Sequence, residues 1–231
     1  MRPIGDHHGG VARRRLPIWL ALALTAGAAA WALTGLPGRP PACLPAGCDC
    51  EAAGPGPIRQ AANAWSSLAL TAAGLFVVIA SPGRRPGEAR ARAITRHLAA
   101  GALATAGLGA FLYHAGLTAW AARLDGTTVA VLAGALGLHA VTRLAPLPGG
   151  RRLPRSHWRS LAPWLLLALG AVCWWLGRSE GPWCRPESLV QAHAAWHFLA
   201  AAAIGSWLAS GRSGPQPPTP SSLRAERQPD L

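Results

Sequence analysis

Charged residues leave this chain in long blocks. No Asp, Glu, Lys or Arg occurs from Leu16 to Leu36, Gln60 to Ser81, His97 to Ala122, Gly126 to Thr142, Ser160 to Gly177 or Ser188 to Gly211. Each block reaches or approaches the roughly 20 helical residues that cross a hydrocarbon core. The pattern predicts an all-α, polytopic membrane bundle of six transmembrane helices in one domain, residues 16–211. Ala and Gly recur within the blocks, which lets helices approach closely. Tryptophans such as Trp19, Trp120, Trp158, Trp164 and Trp183 fall near block ends, as an interfacial belt requires. The flanking segments read differently: 1–15 as a basic tail, and 212–231, rich in Pro and Ser, as a disordered one.

Composition sharpens this picture. Half of the residues are hydrophobic (51%), only 13% are charged, and the formal net charge is +13. Such an excess suggests nucleic acid only where the basic residues form one patch. Here they alternate between connecting segments. Placing the arginine-rich segments in the cytoplasm puts 17 of the 22 arginines inside and five outside, the positive-inside pattern with both termini cytoplasmic. The charge therefore reads as topology, and nucleic-acid binding becomes a poor alternative. The lysine-free, alanine- and arginine-rich composition points to a bacterial cytoplasmic membrane.

In this topology Cys43, Cys48, Cys50 and Cys184 lie outside, the first three in an extracytoplasmic loop, 37–59. Only Cys173 lies within a span. Cysteines gathered in an oxidising compartment suggest disulfides, with three possible pairings. CLPAGCDC contains neither a CxxC pair nor a nearby histidine, so zinc on these thiols is the weaker reading.

Ionisable groups inside spans are costly unless paired or metal-bound. His114 lies in the outer half of the third span, Asp125 at the outer start of the fourth, and His193 and His197 in the first turns of the sixth. Residues four apart share a helical face, with Cβ atoms about 6 Å apart, so His193 and His197 can chelate one ion and His114 can join from a facing helix. Three neutral histidines with an open fourth position form a catalytic zinc set. Asp125 is then placed to hold the metal-bound water or take its proton. A histidine in a span also serves as an ordinary helix contact, the role assigned to His97 and His139 at the inner ends of their spans. His7, His8 and His157 fall in solvated basic segments. At the outer end of the second span, Gln60, Asn63 and Ser67 recur at helical spacing and share a face toward the same depth. Ser66 alone reads as a simple helix contact.

In order along the chain, CxCE, IRQxxNxWSSLxxxxxGL, GxGxxxxHAxLTxxxxxxD and HAxWH resemble the alkaline ceramidase family. That family belongs to the superfamily of seven-helix membrane hydrolases that includes the adiponectin and progestin receptors and haemolysin III-like proteins. The match runs from about Cys48 to about Gly205, with no motif between Asp125 and His193. The resemblance implies zinc on His114, His193 and His197, Asp125 beside the metal-bound water, and attack on the amide of a ceramide. It also implies a calcium site near Glu51 and Asn63, a Cys50–Cys184 disulfide, and by remainder a Cys43–Cys48 pair.

The chain departs from the family in three places. Ala110 stands where the family has a serine, an oxyanion donor whose loss costs about 10²- to 10³-fold in rate; Ser67 is the candidate substitute. Gln60 stands where an acidic calcium ligand is expected. Only 68 residues separate Asp125 from His193, with room for one intervening span instead of three. The expected function is a zinc-dependent hydrolase of a linear amide in a membrane lipid, its active site toward the extracytoplasmic side. Two rivals are a non-catalytic, zinc-binding receptor-like or scaffold protein, and a b-type cytochrome with His114 and His193 on an outer haem and His97 and His139 on an inner one.

Overall fold

The computed structural model describes residues 8–43, 48–81, 83–84, 88–144 and 157–210, excepting the side chains of 8–18, 21 and 157–160. It contains six helices: α1 (His8–Leu33), α2 (Ala61–Ala80), α3 (Arg90–Gly116), α4 (Ala119–Leu144), α5 (His157–Leu176) and α6 (Ala192–Ala209). No strand occurs among the described residues. The expected all-α class is thus present. Of the six helices expected to span a membrane, α2, α3 and α4 are long and apolar enough to do so, while α1 and α5 carry shorter apolar stretches among the described residues, Leu22–Leu33 and Leu161–Leu176. Residues 8–15, expected in the basic tail, continue α1. The tail at 212–231 lies outside the described residues.

The central helix is α3. It packs against α2 and α4 and more lightly against α1 and α6, while α6 bridges α2 to α5. Two glycines make the tightest contact possible. A Cβ on Gly107 of α3 would lie 2.8 Å from the Ser67 carbonyl oxygen, and one on Gly74 of α2 would lie 2.7 Å from the Ala104 nitrogen. Only hydrogen fits at either crossing point, and the two backbones nearly touch.

The chain reverses between α3 and α4 through two residues. Leu117 caps α3 in the left-handed conformation, its N–H donating to the Tyr113 carbonyl at 2.7 Å. The break falls five residues before the uncharged block ends, so α4 starts at Ala119 and Asp125 sits in its second turn instead of at its start. Hydropathy does not register this break, because both helices continue in apolar residues through it.

The two ends of the bundle differ. At the end away from His114, Arg96 is buried and paired with Glu88 at 3.1 Å, and also donates to the Ser81 and Gly83 carbonyls. His97 faces the Ala93 and Ser81 carbonyls, and His139 pairs with Thr95 at 2.9 Å. Both histidines are thus engaged in helix-to-helix contacts. At the opposite end the segment between α1 and α2 carries Cys43, Cys48 and Cys50, with the Arg39 carbonyl accepting from the Ala119 N–H at the start of α4.

Candidate metal centre

The start of α2 is fastened to the end of α3. The Arg59 and Gln60 N–H groups donate to the carbonyls of Ala115 and His114 at 2.9 and 3.0 Å. This sets Gln60 directly beside His114. Glu51 caps α2 from the preceding loop: its two carboxylate oxygens accept the N–H groups of Ala62 and Asn63 at 2.8 and 2.9 Å. A carboxylate at a helix N-terminus satisfies orphan donors and complements the helix dipole. Gln60, the residue at the cap position, makes no capping bond with its own side chain.

Both disulfides implied by the resemblance are present, Cys43–Cys48 and Cys50–Cys184. Zinc on these thiols is thereby ruled out. The second bridge joins the loop before α2 to the loop between α5 and α6, next to the start of α6. Cys173 is free.

His114 from α3 and His193 and His197 from α6 come together in the interior. One ligand atom from each lies within 4.8 Å of the other two, and all three residues are buried. Their ring centroids are 4.7 to 5.4 Å apart in edge-to-face arrangements. The i, i+4 spacing of His193 and His197 produces their shared face, as helical geometry requires.

The outer nitrogens of His114 and His197 have hydrogen-bond partners, whereas that of His193 has only a carboxylate nearby. Gln60 Oε1 lies 2.8 Å from His114 Nδ1. The amide cannot be turned the other way, because its Nε2 donates to the carbonyls of Cys48 and Glu51. Oε1 therefore accepts, and His114 Nδ1 carries the proton. Ser66 Oγ lies 2.9 Å from His197 Nδ1 and donates its only proton to the Asn63 carbonyl at 3.0 Å. By the same logic Nδ1 of His197 is the donor. Asp49 Oδ1 lies 3.6 Å from Nδ1 of His193, beyond hydrogen-bond length, yet a carboxylate there favours the proton on that side.

With Nδ1 of His114 and of His197 turned to these partners, Nε2 is left as the metal-binding nitrogen of each, in a buried three-histidine group whose ligand atoms lie within 4.8 Å of one another. The donor set fits a metal with three protein ligands and an open position.

Other expected residues lie differently. Ser67 is fully buried, but its hydroxyl donates to the Ala64 carbonyl at 2.6 Å and its own carbonyl meets Gly107 across the α2–α3 crossing. Asp125 lies against Gly109 of α3, with one carboxylate oxygen buried and unpaired, close enough to Asp49 for the two charges to interact. No hydrogen bond or ion pair joins it to the histidines among the described residues. Among the described residues Glu51 and Asn63 belong to no group of three His, Cys, Asp or Glu side chains close enough to hold one ion. Asn63 Nδ2 reaches the Asp49 carbonyl at 3.5 Å, while its Oδ1 is buried and unpaired. Ala110 is buried beside Gly109. The sequence pattern gives no role at the histidines to Asp49 or Ser66; it turns Gln60 toward their depth and sets it where an acidic calcium ligand is expected.

Comparison of the chain with protein-family models, curated proteins and solved structures found no match. The likeness to alkaline ceramidases is carried by the ordered residues alone.

Proposed function

We propose that this chain is an integral membrane, zinc-dependent hydrolase that cleaves the amide of a ceramide-like lipid at the disulfide-bearing end of the bundle, the extracytoplasmic end by the arginine bias. The observation that supports the reading is the buried group of His114, His193 and His197, with ligand atoms within 4.8 Å of one another and with Gln60 and Ser66 on the outer nitrogens of two of the rings. When bound, zinc supplies a Lewis acid that brings the pKa of water to about 7.

The remaining roles belong to the chain. His114, His193 and His197 hold the metal. The unpaired, buried oxygen of Asp125 suits a group that accepts a proton from a water or from the substrate. The exposed apolar side chains of α4 and α5, such as Val129, Val141, Leu165 and Trp175, suit a surface in hydrocarbon, from which an acyl chain reaches the site laterally. Glu51 is occupied as a helix cap, so calcium has no part in the proposal.

The haem reading is disfavoured. Centroids of His114 and His193 only 5.0 Å apart, with His197 between the same helices, leave no space for a macrocycle, and His97 already faces two carbonyls. The non-catalytic zinc reading keeps one favouring observation: of the two positions expected to supply an oxyanion donor, Ala110 has no hydroxyl and that of Ser67 donates to its own helix. Purified protein is expected to contain about one zinc per chain and to release fatty acid from a labelled N-acyl sphingoid base. Zinc-loaded protein inert toward a panel of N-acyl lipids would leave the scaffold reading in place.

A further inference from the structure

Two of the three imidazoles are set by hydrogen bonds from the start of α2. The third, His193, faces a residue that no helix carries. We infer that Asp49 is a positioning residue of the metal centre, held against His193 by the two disulfides that flank it; the inference rests on the zinc reading above.

The backbone at Asp49 is constrained from every side. Asp49 and Cys50 both adopt left-handed conformations, with φ of 55° and 66°, a region that non-glycine residues avoid because Cβ crowds the following carbonyl oxygen. Cys48, just before, is bridged to Cys43, five residues back, and Cys50, just after, is bridged to Cys184. The Cys50 N–H donates to Ser179 Oγ at 3.2 Å and the Ala52 N–H to the Pro186 carbonyl at 3.0 Å. The Asp49 carbonyl accepts the Glu51 N–H at 2.8 Å. Such a conformation persists only where its surroundings over-determine it, a pattern that marks functional positions.

The consequence falls on His193. The Cys50–Cys184 bridge ties the aspartate to the loop that leads directly into α6, so carboxylate and imidazole sit at the two ends of one short covalent path. The Asp49 side chain is 25% exposed and its Oδ1 stands 3.6 Å from Nδ1. From there, without a hydrogen bond, the charge of the carboxylate favours the tautomer that leaves Nε2 bare, the service that carboxylates beside metal-ligating histidines provide. The same segment presents the Cys48 and Glu51 carbonyls that orient Gln60, and through it His114.

The test uses the full chain in detergent, with Zn²⁺ affinity from chelator competition and the visible spectrum of the Co²⁺-substituted protein. Asp49→Ala is expected to weaken Zn²⁺ binding about 10- to 100-fold, the usual effect of losing an outer partner of a metal-ligating histidine, and to alter the Co²⁺ bands. Asp49→Asn, nearly isosteric, carries the test should the alanine variant fold poorly, and is expected to give a smaller loss. The pair Cys43→Ser with Cys48→Ser should weaken Zn²⁺ in the native background and add nothing in the Asp49→Ala background, because coupled residues are non-additive. Unchanged affinity and spectrum in both Asp49 variants would overturn the positioning role while leaving the metal site standing. Equal losses from the cysteine pair in both backgrounds would overturn the part assigned to that disulfide. A native chain that takes up no Zn²⁺ would overturn the zinc reading and this one with it.

Discussion

The Oε1 of Gln60 accepts a hydrogen bond from His114 Nδ1 at 2.8 Å while the Nε2 of the same amide donates to two backbone carbonyls. One side chain thus decides which nitrogen of His114 faces inward. Replacing Gln60 with alanine removes the acceptor and leaves two carbonyls short of a donor. Zn²⁺ affinity is expected to fall about 10- to 100-fold, measured by chelator competition. Gln60→Glu should be worse for folding, since a carboxylate would face those two carbonyl oxygens. A Gln60→Ala protein with native affinity would show that His114 orients itself.

Ser66 and Ser67 are neighbours with opposite assignments. Ser66 faces His197, whereas Ser67 bonds its own helix at the α2–α3 crossing. Ser66→Ala is expected to weaken Zn²⁺ binding about tenfold or more, and Ser67→Ala to leave it unchanged. Metal titration of the two variants side by side checks this, and a reversal would mean that α2 is rotated by about one residue, 100° of helix.

Each of His193 and His197 supplies one of three protein ligands, so His193→Ala or His197→Ala should abolish stoichiometric zinc. Elemental analysis of the purified variants reads this directly. Full metal content in His197→Ala would remove the basis for the site.

The comparison of Gln60, Ser66 and Ser67 also shows what was legible in the sequence and what was not. The three histidines were found from rarity and spacing, because an imidazole in a span is costly and i, i+4 geometry does not depend on the rest of the fold. The separate roles of the α2 hydroxyls are not legible in hydropathy: Ser66 and Ser67 are adjacent, and it is the packing of α2 that turns Ser66 to His197 and leaves Ser67 bonded to its own helix. Asp49 carried no pattern at all. Its place follows from two disulfides and a left-handed backbone, and a covalent link across 134 residues leaves no local trace in hydropathy. Asp125 moved one helical turn or more into α4 because a single left-handed residue, Leu117, ended α3 early.

Gly107 offers a test of the packing on which the site stands. A Cβ there would meet the Thr71 nitrogen at 2.5 Å and the Ser67 carbonyl oxygen at 2.8 Å, both backbone atoms that cannot swing aside. Gly107→Ala is expected to separate α2 from α3 and destabilise the bundle by about 1–3 kcal/mol, the usual cost of overpacking. A thermal melt in detergent measures it. Because α2 carries Ser66 and follows Gln60 while α3 carries His114, zinc affinity should fall in parallel. A melt unchanged from the native protein would mean that the two helices are not in contact at this point.

Catalysis separates the two zinc readings, and the α3–α4 seam is where to look. At Gly109, the residue before position 110, a Cβ would lie 3.4 Å from the Asp125 Cα, so α4 passes this part of α3 at Asp125. Asp125→Asn keeps the shape and removes the base; the rate of N-acyl lipid hydrolysis should drop about 10²- to 10⁴-fold, the usual contribution of a positioned base, with zinc content intact. Ala110→Ser restores a hydroxyl one turn before His114. If absence of an oxyanion donor limits turnover, kcat should rise by up to about 10²-fold with little change in KM, since the donor acts on charge that develops only in the transition state. A hydrolase whose kcat is indifferent to both changes would place the reacting carbonyl elsewhere, away from α4.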